Sequence, residues 1–141
     1  MKIAIGSKIV QGPWGGGNLF TVSLKKYLQE KQVKVSHNLV EEDIDIILLT
    51  EPRIDSSTST ITLLEAKLYK RFVNKNVKIV HRINECDERK GTKYVNEKMT
   101  DISKSSDYTV FVSYWLESLY INFGLLKKNS KVIMSGSDLT I

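Results

Sequence analysis

The chain has one cysteine, two prolines and two histidines in 141 residues. With Cys86 alone, no disulfide can form within the chain. A reducing, cytosolic compartment is therefore the default expectation. No apolar run is long enough to cross a bilayer, and the opening residues read as a strand, too short for a signal peptide. Cys86 stands beside Asp87, but no second cysteine or spaced histidine completes a metal signature. Two nucleotide fingerprints are missing as well. After the first strand the chain reads Gly6-Ser7-Lys8-Ile9-Val10-Gln11-Gly12, without G-x-G-x-x-G, and no acidic residue closes the second strand. There is no Walker A sequence. These absences argue against NAD binding and P-loop hydrolysis. No repeat, low-complexity tract or internal linker interrupts the chain.

What is present fits one domain of ordinary size. Hydrophobic content of 41% and charged content of 26% are globular values. The formal net charge is +5. Its excess sits in pairs near predicted helix ends, Lys25 with Lys26, Lys70 with Arg71 and Lys127 with Lys128, where cations complement the helix dipole. No dense basic run or stacking motif appears, so no nucleic-acid partner is expected. Attraction to an anionic membrane surface stays open.

Apolar segments alternate with helical patterns, which predicts an α/β fold built on a parallel sheet. Strands are expected at residues 2–6, 33–36, 44–50, 77–81, 108–112 and 131–134. A helix over 18–31 has Asn18 as N-cap and Phe20, Leu24, Tyr27 and Leu28 on one face. A second, over 60–73, aligns Ile61, Leu64, Leu68 and Phe72. Residues 82–93 read as a long polar loop. Thr92 is the expected cap of a helix burying Val95, Met99 and Ile102. Ser113 caps one carrying Leu116, Leu119, Tyr120 and Phe123, with Gly124 as its stop.

In such a sheet, ligands bind outside the carboxyl ends of the strands. Four unusual segments follow those ends: Gly12-Pro13-Trp14-Gly15-Gly16-Gly17-Asn18, Thr50-Glu51-Pro52-Arg53, residues 81–93, and Ser113-Tyr114-Trp115. The glycine stretch either presents helix-start amides to a phosphate, carboxylate or sugar hydroxyl, or is a tight crossover whose glycines only avoid clashes. In the segment from His81, the residues Asn84, Glu85 and Asp87 suit sugar hydroxyls, and Arg82, Arg89 and Lys90 suit phosphate. The alternative is a solvated loop of self-compensating charge. His81 by itself reads as a structural strand-end histidine. Trp14 and Trp115 read as partly buried packing more than as sugar-stacking platforms.

These residues together resemble the N-terminal half of GT-B glycosyltransferases, especially the large retaining family 4. The glycine stretch resembles that family's first loop. Residues 77–81 resemble its strand ending in histidine. Asp107-Tyr108-Thr109-Val110-Phe111-Val112-Ser113 resembles its D-x-x-x-x-x-S strand and turn, and Lys131-Val132-Ile133-Met134-Ser135-Gly136-Ser137-Asp138 resembles its interdomain hinge, with Ser135 where Asn is usual. The resemblance implies a Rossmann-like, doubly wound acceptor-side domain over residues 1–134, with 135–141 opening the hinge. It implies metal-independent transfer from a nucleotide-sugar donor to a sugar, lipid or protein acceptor, without a resident cofactor. Gly15, Gly16, Gly17 and Asn18 would approach donor and acceptor. Arg82, Asn84, Glu85, Asp87, Arg89 and Lys90 would bind donor or acceptor, with Glu85, Asp87 and Arg89 orienting the acceptor, and His81 would be the catalytic-site histidine near the transferred sugar. The expected partner is a C-terminal donor-binding domain, absent from these residues, which hold no two glutamates eight apart. By itself the chain is then expected to be inactive and to self-associate through an apolar face near Trp14, Trp115 and the hinge. Localisation would be cytoplasmic, with membrane-peripheral attachment open. The alternatives are a free-standing Rossmann-like binding or interaction module without transfer, and an unrelated flavodoxin-like domain that binds phosphate at its first loop.

Overall fold

The computed structural model describes residues 1–125 and 129–136. Eleven elements succeed one another: β1 (Lys2–Ile5), α1 (Gly15–Glu30), β2 (Lys34–Ser36), β3 (Ile46–Leu49), α2 (Leu63–Phe72), β4 (Lys78–Ile83), α3 (Asp87–Lys90), α4 (Val95–Lys104), β5 (Tyr108–Phe111), α5 (Tyr114–Asn122) and β6 (Ser130–Val132). The strands form one sheet in the order β2-β1-β3-β4-β5-β6, all parallel and flanked by helices, as the alternating pattern predicts. β1 pairs with β2 on one side and β3 on the other. The winding direction therefore reverses between β1 and β3, which makes that gap the topological switch point. The Lys127–Lys128 pair and the hinge residues from Ser137 onward lie outside the described residues.

The chain divides into two compact units, residues 1–80 and 81–141. In the first, β1 is buried at every position, as a strand covered on both faces must be. Ile44, Ile47, Leu49, Ile61, Ala66 and Val77 complete its core. Helix α2 starts with a full capping box: the Thr62 hydroxyl accepts from the Glu65 N–H, and the Glu65 carboxylate accepts from the Thr62 N–H at 2.7 Å. Its inward face differs from the expected line. Ala66 and Tyr69 are buried, while Leu64, Leu68 and Phe72 face outward. The cause is polar. The Tyr69 hydroxyl donates to the Glu41 carbonyl at 2.7 Å and accepts from the Ile44 N–H at 3.1 Å, satisfying two backbone groups that an aliphatic side chain would leave bare. Tyr27, placed by periodicity on the buried face of α1, is exposed beneath the Lys31 ammonium; Thr21 takes the inward position.

The second unit packs Ile83, Cys86, Val95, Met99, Phe111, Leu116, Tyr120 and Leu125 into one cluster. Helix α5 matches expectation at both ends. The Ser113 hydroxyl accepts from the Leu116 N–H at 3.1 Å. Gly124 has φ +113, where a side chain would be strained. The Gly124 N–H bonds the Ile121 carbonyl and the Leu125 N–H bonds the Tyr120 carbonyl, the paired bonds of a Schellman turn. Phe123, expected to be packed, is half exposed.

Candidate functional site

At the switch point, the carboxyl ends of β1 and β3 lead into Ser7 and Thr50. Ser7 is buried. Its hydroxyl accepts from the Thr50 hydroxyl at 3.0 Å and lies 3.0 Å from the Thr21 hydroxyl of α1. Its carbonyl accepts from His37 Nδ1 at 2.7 Å. A carbonyl cannot donate, so the proton sits on Nδ1. His37 Nε2 is buried without a hydrogen-bond partner. The segment after β3 folds back over this cluster: the Lys8 N–H bonds the Thr58 carbonyl and the Thr60 N–H bonds the Gly6 carbonyl. The strand ends at the switch point are thus closed by a hydroxyl network, and the open surface lies further along the loop.

That surface is the start of α1. The three glycines do not precede the helix; they form its first turn. Gly15 has φ +44, a conformation that favours glycine. A methyl group built on Gly15, Gly16 or Gly17 would meet no atom within 4 Å. Trp14 occupies the N-cap position, and neither a capping side chain nor an acidic residue covers the first turn. The amides there keep their donors and the positive end of the helix dipole. Asn18 is not the N-cap. Its side-chain oxygen accepts from the Val10 N–H at 2.8 Å and its amide nitrogen donates to the Val10 carbonyl at 2.9 Å. Asn18 therefore pins the preceding loop to the helix.

In the second unit, His81 lies in β4 as expected, and the strand runs two residues past the predicted end, so Arg82 and Ile83 belong to it as well. His81 is fully buried, with Nδ1 2.7 Å from the Ser103 hydroxyl of α4. Burial pushes its pKa from 6.5 down to about 3, so the ring is neutral near pH 7 and a poor proton acceptor. A ring without exposed surface touches no ligand in this conformation. Arg82 is also buried, and desolvation lowers its pKa to about 10, which leaves it charged.

The polar segment after β4 is not a free loop. Glu85 is buried and bonded by the Lys90 ammonium, while its carbonyl accepts from the Tyr120 hydroxyl at 2.9 Å. Asp87 and Asn96 cap each other's helices. The Asp87 carboxylate accepts from the Val95 and Asn96 N–H groups at 3.1 and 3.0 Å and from the Thr92 hydroxyl at 2.8 Å. Asn96 Oδ1 accepts from the Asp87 N–H at 2.9 Å. Desolvation would raise the Asp87 pKa, but the Asn96, Thr92 and Val95 bonds outweigh it and hold the carboxyl below its usual range. The cap of α4 is therefore remote: Thr92 acts through Asp87, and the N-cap residue Tyr94 adopts a left-handed backbone. Of the expected acceptor residues, Arg89 is exposed and Asn84 partly so; Glu85, Asp87 and Lys90 are engaged in building the segment.

Three features escaped the sequence reading. Both tryptophans are open, Trp14 at 54% and Trp115 at 55% exposure. Trp115, Leu119 and Phe123 line an open groove of about 500 Å³ with Glu88, Ser118 and Asn122. The Asn96 side chain donates to both Glu88 carboxylate oxygens and lowers that pKa. The nine-residue spacing from Asp87 to Asn96 matches no helical or strand period, so this lock left no signal along the chain. Among the described residues no group of three or more His, Cys, Asp or Glu side chains is placed to hold a metal ion. No protein-family model and no curated protein matches the sequence.

Proposed function

We propose that this chain is the acceptor-side domain of a GT-B glycosyltransferase, which passes a sugar from a nucleotide-sugar donor to an acceptor together with a C-terminal donor-binding domain. The observation that carries the reading is the uncapped three-glycine start of α1, directly after β1 in a doubly wound parallel sheet. Open amides with no Cβ in front of them suit a phosphate brought by the donor. Asn18 holds that loop in shape. Arg89 and Asn84 are the accessible groups for the acceptor, while the Asp87–Asn96 lock and the Glu85–Lys90 pair position the segment that carries them. His81 acts by tying β4 to α4 through Ser103, as a positioning residue. In the second unit, Tyr114, Trp115, Ile133 and Met134 follow the ends of β5 and β6 and are all exposed; a partner domain would cover them.

The strand order β2-β1-β3-β4-β5 favours a second reading, because it is that of flavodoxin-like domains, which hold a flavin phosphate at the switch point. Chemical-shift mapping of the labelled chain with UDP-glucose, inorganic pyrophosphate and flavin mononucleotide separates the two. The first reading expects saturable shifts at residues 14–18 with UDP-glucose and pyrophosphate, lost in Gly16→Val. Stoichiometric flavin mononucleotide binding with UDP-glucose inert would favour the second reading. No saturable shift at residues 14–18 with any probe would overturn both.

A further inference from the structure

Helix α2 turns its most apolar side chains to water. Leu64 is 65% exposed, Leu68 46% and Phe72 73%. Core packing does not explain them, because Ala66 and Tyr69 already fill the inward face. They succeed one another at intervals of four, so they form one stripe along the helix. On one side the stripe borders a groove of about 490 Å³, lined by Leu68, Phe72 and Val73 together with Leu39 and Glu65.

The charges beside the stripe are of both signs, and they are segregated. Glu65 stands on the groove side. Its capping box with Thr62 is made through Oε2, so Oε1 is open to a cation. Beyond it runs the connection between β2 and β3, held to α2 by the Tyr69 hydroxyl. That connection carries Glu41, Glu42, Asp43 and Asp45; Lys2 pairs with Glu41 and Asp43, and Lys34 acts on Asp43 from further off. Lys67, Lys70 and Arg71 form a row on the opposite side of the stripe, at spacings of three and four. At about 100° per residue, Leu64 and Leu68 lie about 20° to either side of a common line along the helix. Lys67 and Glu65 lie about 80° to either side of that line, and Arg71 and Phe72 flank it at about 40° and 60°.

We infer that this face of α2 docks on a second copy of the chain, with the two-fold axis running along the helix. An isologous contact must be complementary to itself, and this face is. Rotation about that axis exchanges the two sides of the stripe. Leu64 and Leu68 then meet their own copies, and Lys67 of each chain meets Glu65 of the other. Arg71 meets the second copy's Phe72, the ring type it already covers within its own chain, 5.3 Å from the ring centre. An axis across α2 would instead set Lys67 beside Lys67 and Glu65 beside Glu65, so charge selects the parallel arrangement. A membrane does not suit the face. No helix among the described residues is long and apolar enough to cross one, and the acids beside the stripe would be repelled by anionic headgroups. The patch is small, which places the contact in the weak, transient class, with a dissociation constant on the order of 100 µM; dilute protein is monomeric. The inference stands independently of the glycosyltransferase reading.

Sedimentation equilibrium of the whole chain tests it. A monomer–dimer equilibrium should appear as the concentration rises to about 1 mM and should weaken with added salt. Lys67→Glu should weaken dimerisation by at least about tenfold, because two like-charge contacts replace two ion pairs. Adding Glu65→Gln, which keeps the capping box, should restore most of that loss. Leu64→Ser with Leu68→Ser should weaken dimerisation by at least about tenfold with unchanged circular dichroism. Mild oxidation of Leu64→Cys should give a disulfide-linked dimer, because the parallel axis brings position 64 against itself, while the native Cys86 is buried. A chain that stays monomeric at about 1 mM overturns the inference, whether or not it binds phosphatidylglycerol vesicles or another protein. So does a dimer indifferent to Lys67→Glu or to the serine pair, or one in which Glu65→Gln brings no recovery. A dimer that Leu64→Cys fails to cross-link overturns the parallel arrangement and the inference with it.

Discussion

His81 links a single residue to the stability of the fold. Its ring is buried and neutral in the native state and protonates near 6.5 when the chain unfolds. Between about pH 3 and 6.5 the unfolded state therefore binds more protons, so stability rises with pH across that window and is lost as pH falls. From pH 7 to pH 5 the contribution of this residue should fall by about 2 kcal/mol, at about 1.4 kcal/mol per pH unit below 6.5. Urea denaturation at both pH values reads this directly. His81→Leu should start less stable, through loss of the Ser103 bond, but lose about 2 kcal/mol less than the parent on acidification. Identical pH sensitivity in the two proteins would show that His81 is not held neutral.

Helix α2 shows how an element's orientation can be decided by a polar atom. Leu64, Leu68 and Phe72 advertise a buried stripe, yet Tyr69 sets the face because its hydroxyl serves Glu41 and Ile44. Removing that hydroxyl in Tyr69→Phe leaves a buried N–H and a carbonyl without a partner and should cost about 1–3 kcal/mol. Leu64→Ser, on the outward face, should change stability by no more than about 0.5 kcal/mol. Chemical denaturation of the pair reports which face is inside, and the reverse ranking would restore the periodicity-based orientation. The segment after β4 follows the same rule. Its charges look solvated in one dimension, but Asp87, Asn96 and Thr92 spend them on helix ends.

At the scale of the molecule, each unit has an apolar interior of its own. Ile47 in the first and Phe111 in the second are both fully buried. Ile47→Ala should cost about 2–5 kcal/mol and Phe111→Ala about 3–5 kcal/mol. Thermal or urea unfolding monitored by circular dichroism checks both, and a cost near zero at either site would mean that its unit lacks the packed core described.

Alternation of apolar and helical segments was enough to determine the parallel α/β sheet, the order of its elements and the caps at Ser113 and Gly124, because these depend on local period and local backbone geometry. The glycine stretch was legible as a helix start after a strand, though not that its glycines would form the first turn. Tertiary structure alone decided which face of α2 is buried, that Asn18 clamps Val10 instead of capping α1, that Ser103 of α4 takes up the His81 ring, and that Asp87 and Asn96 lock the segment after β4. Each of these rests on a hydrogen bond between residues eight to twenty-eight positions apart, or on burial by a separate element. Neither leaves a periodic trace along the chain.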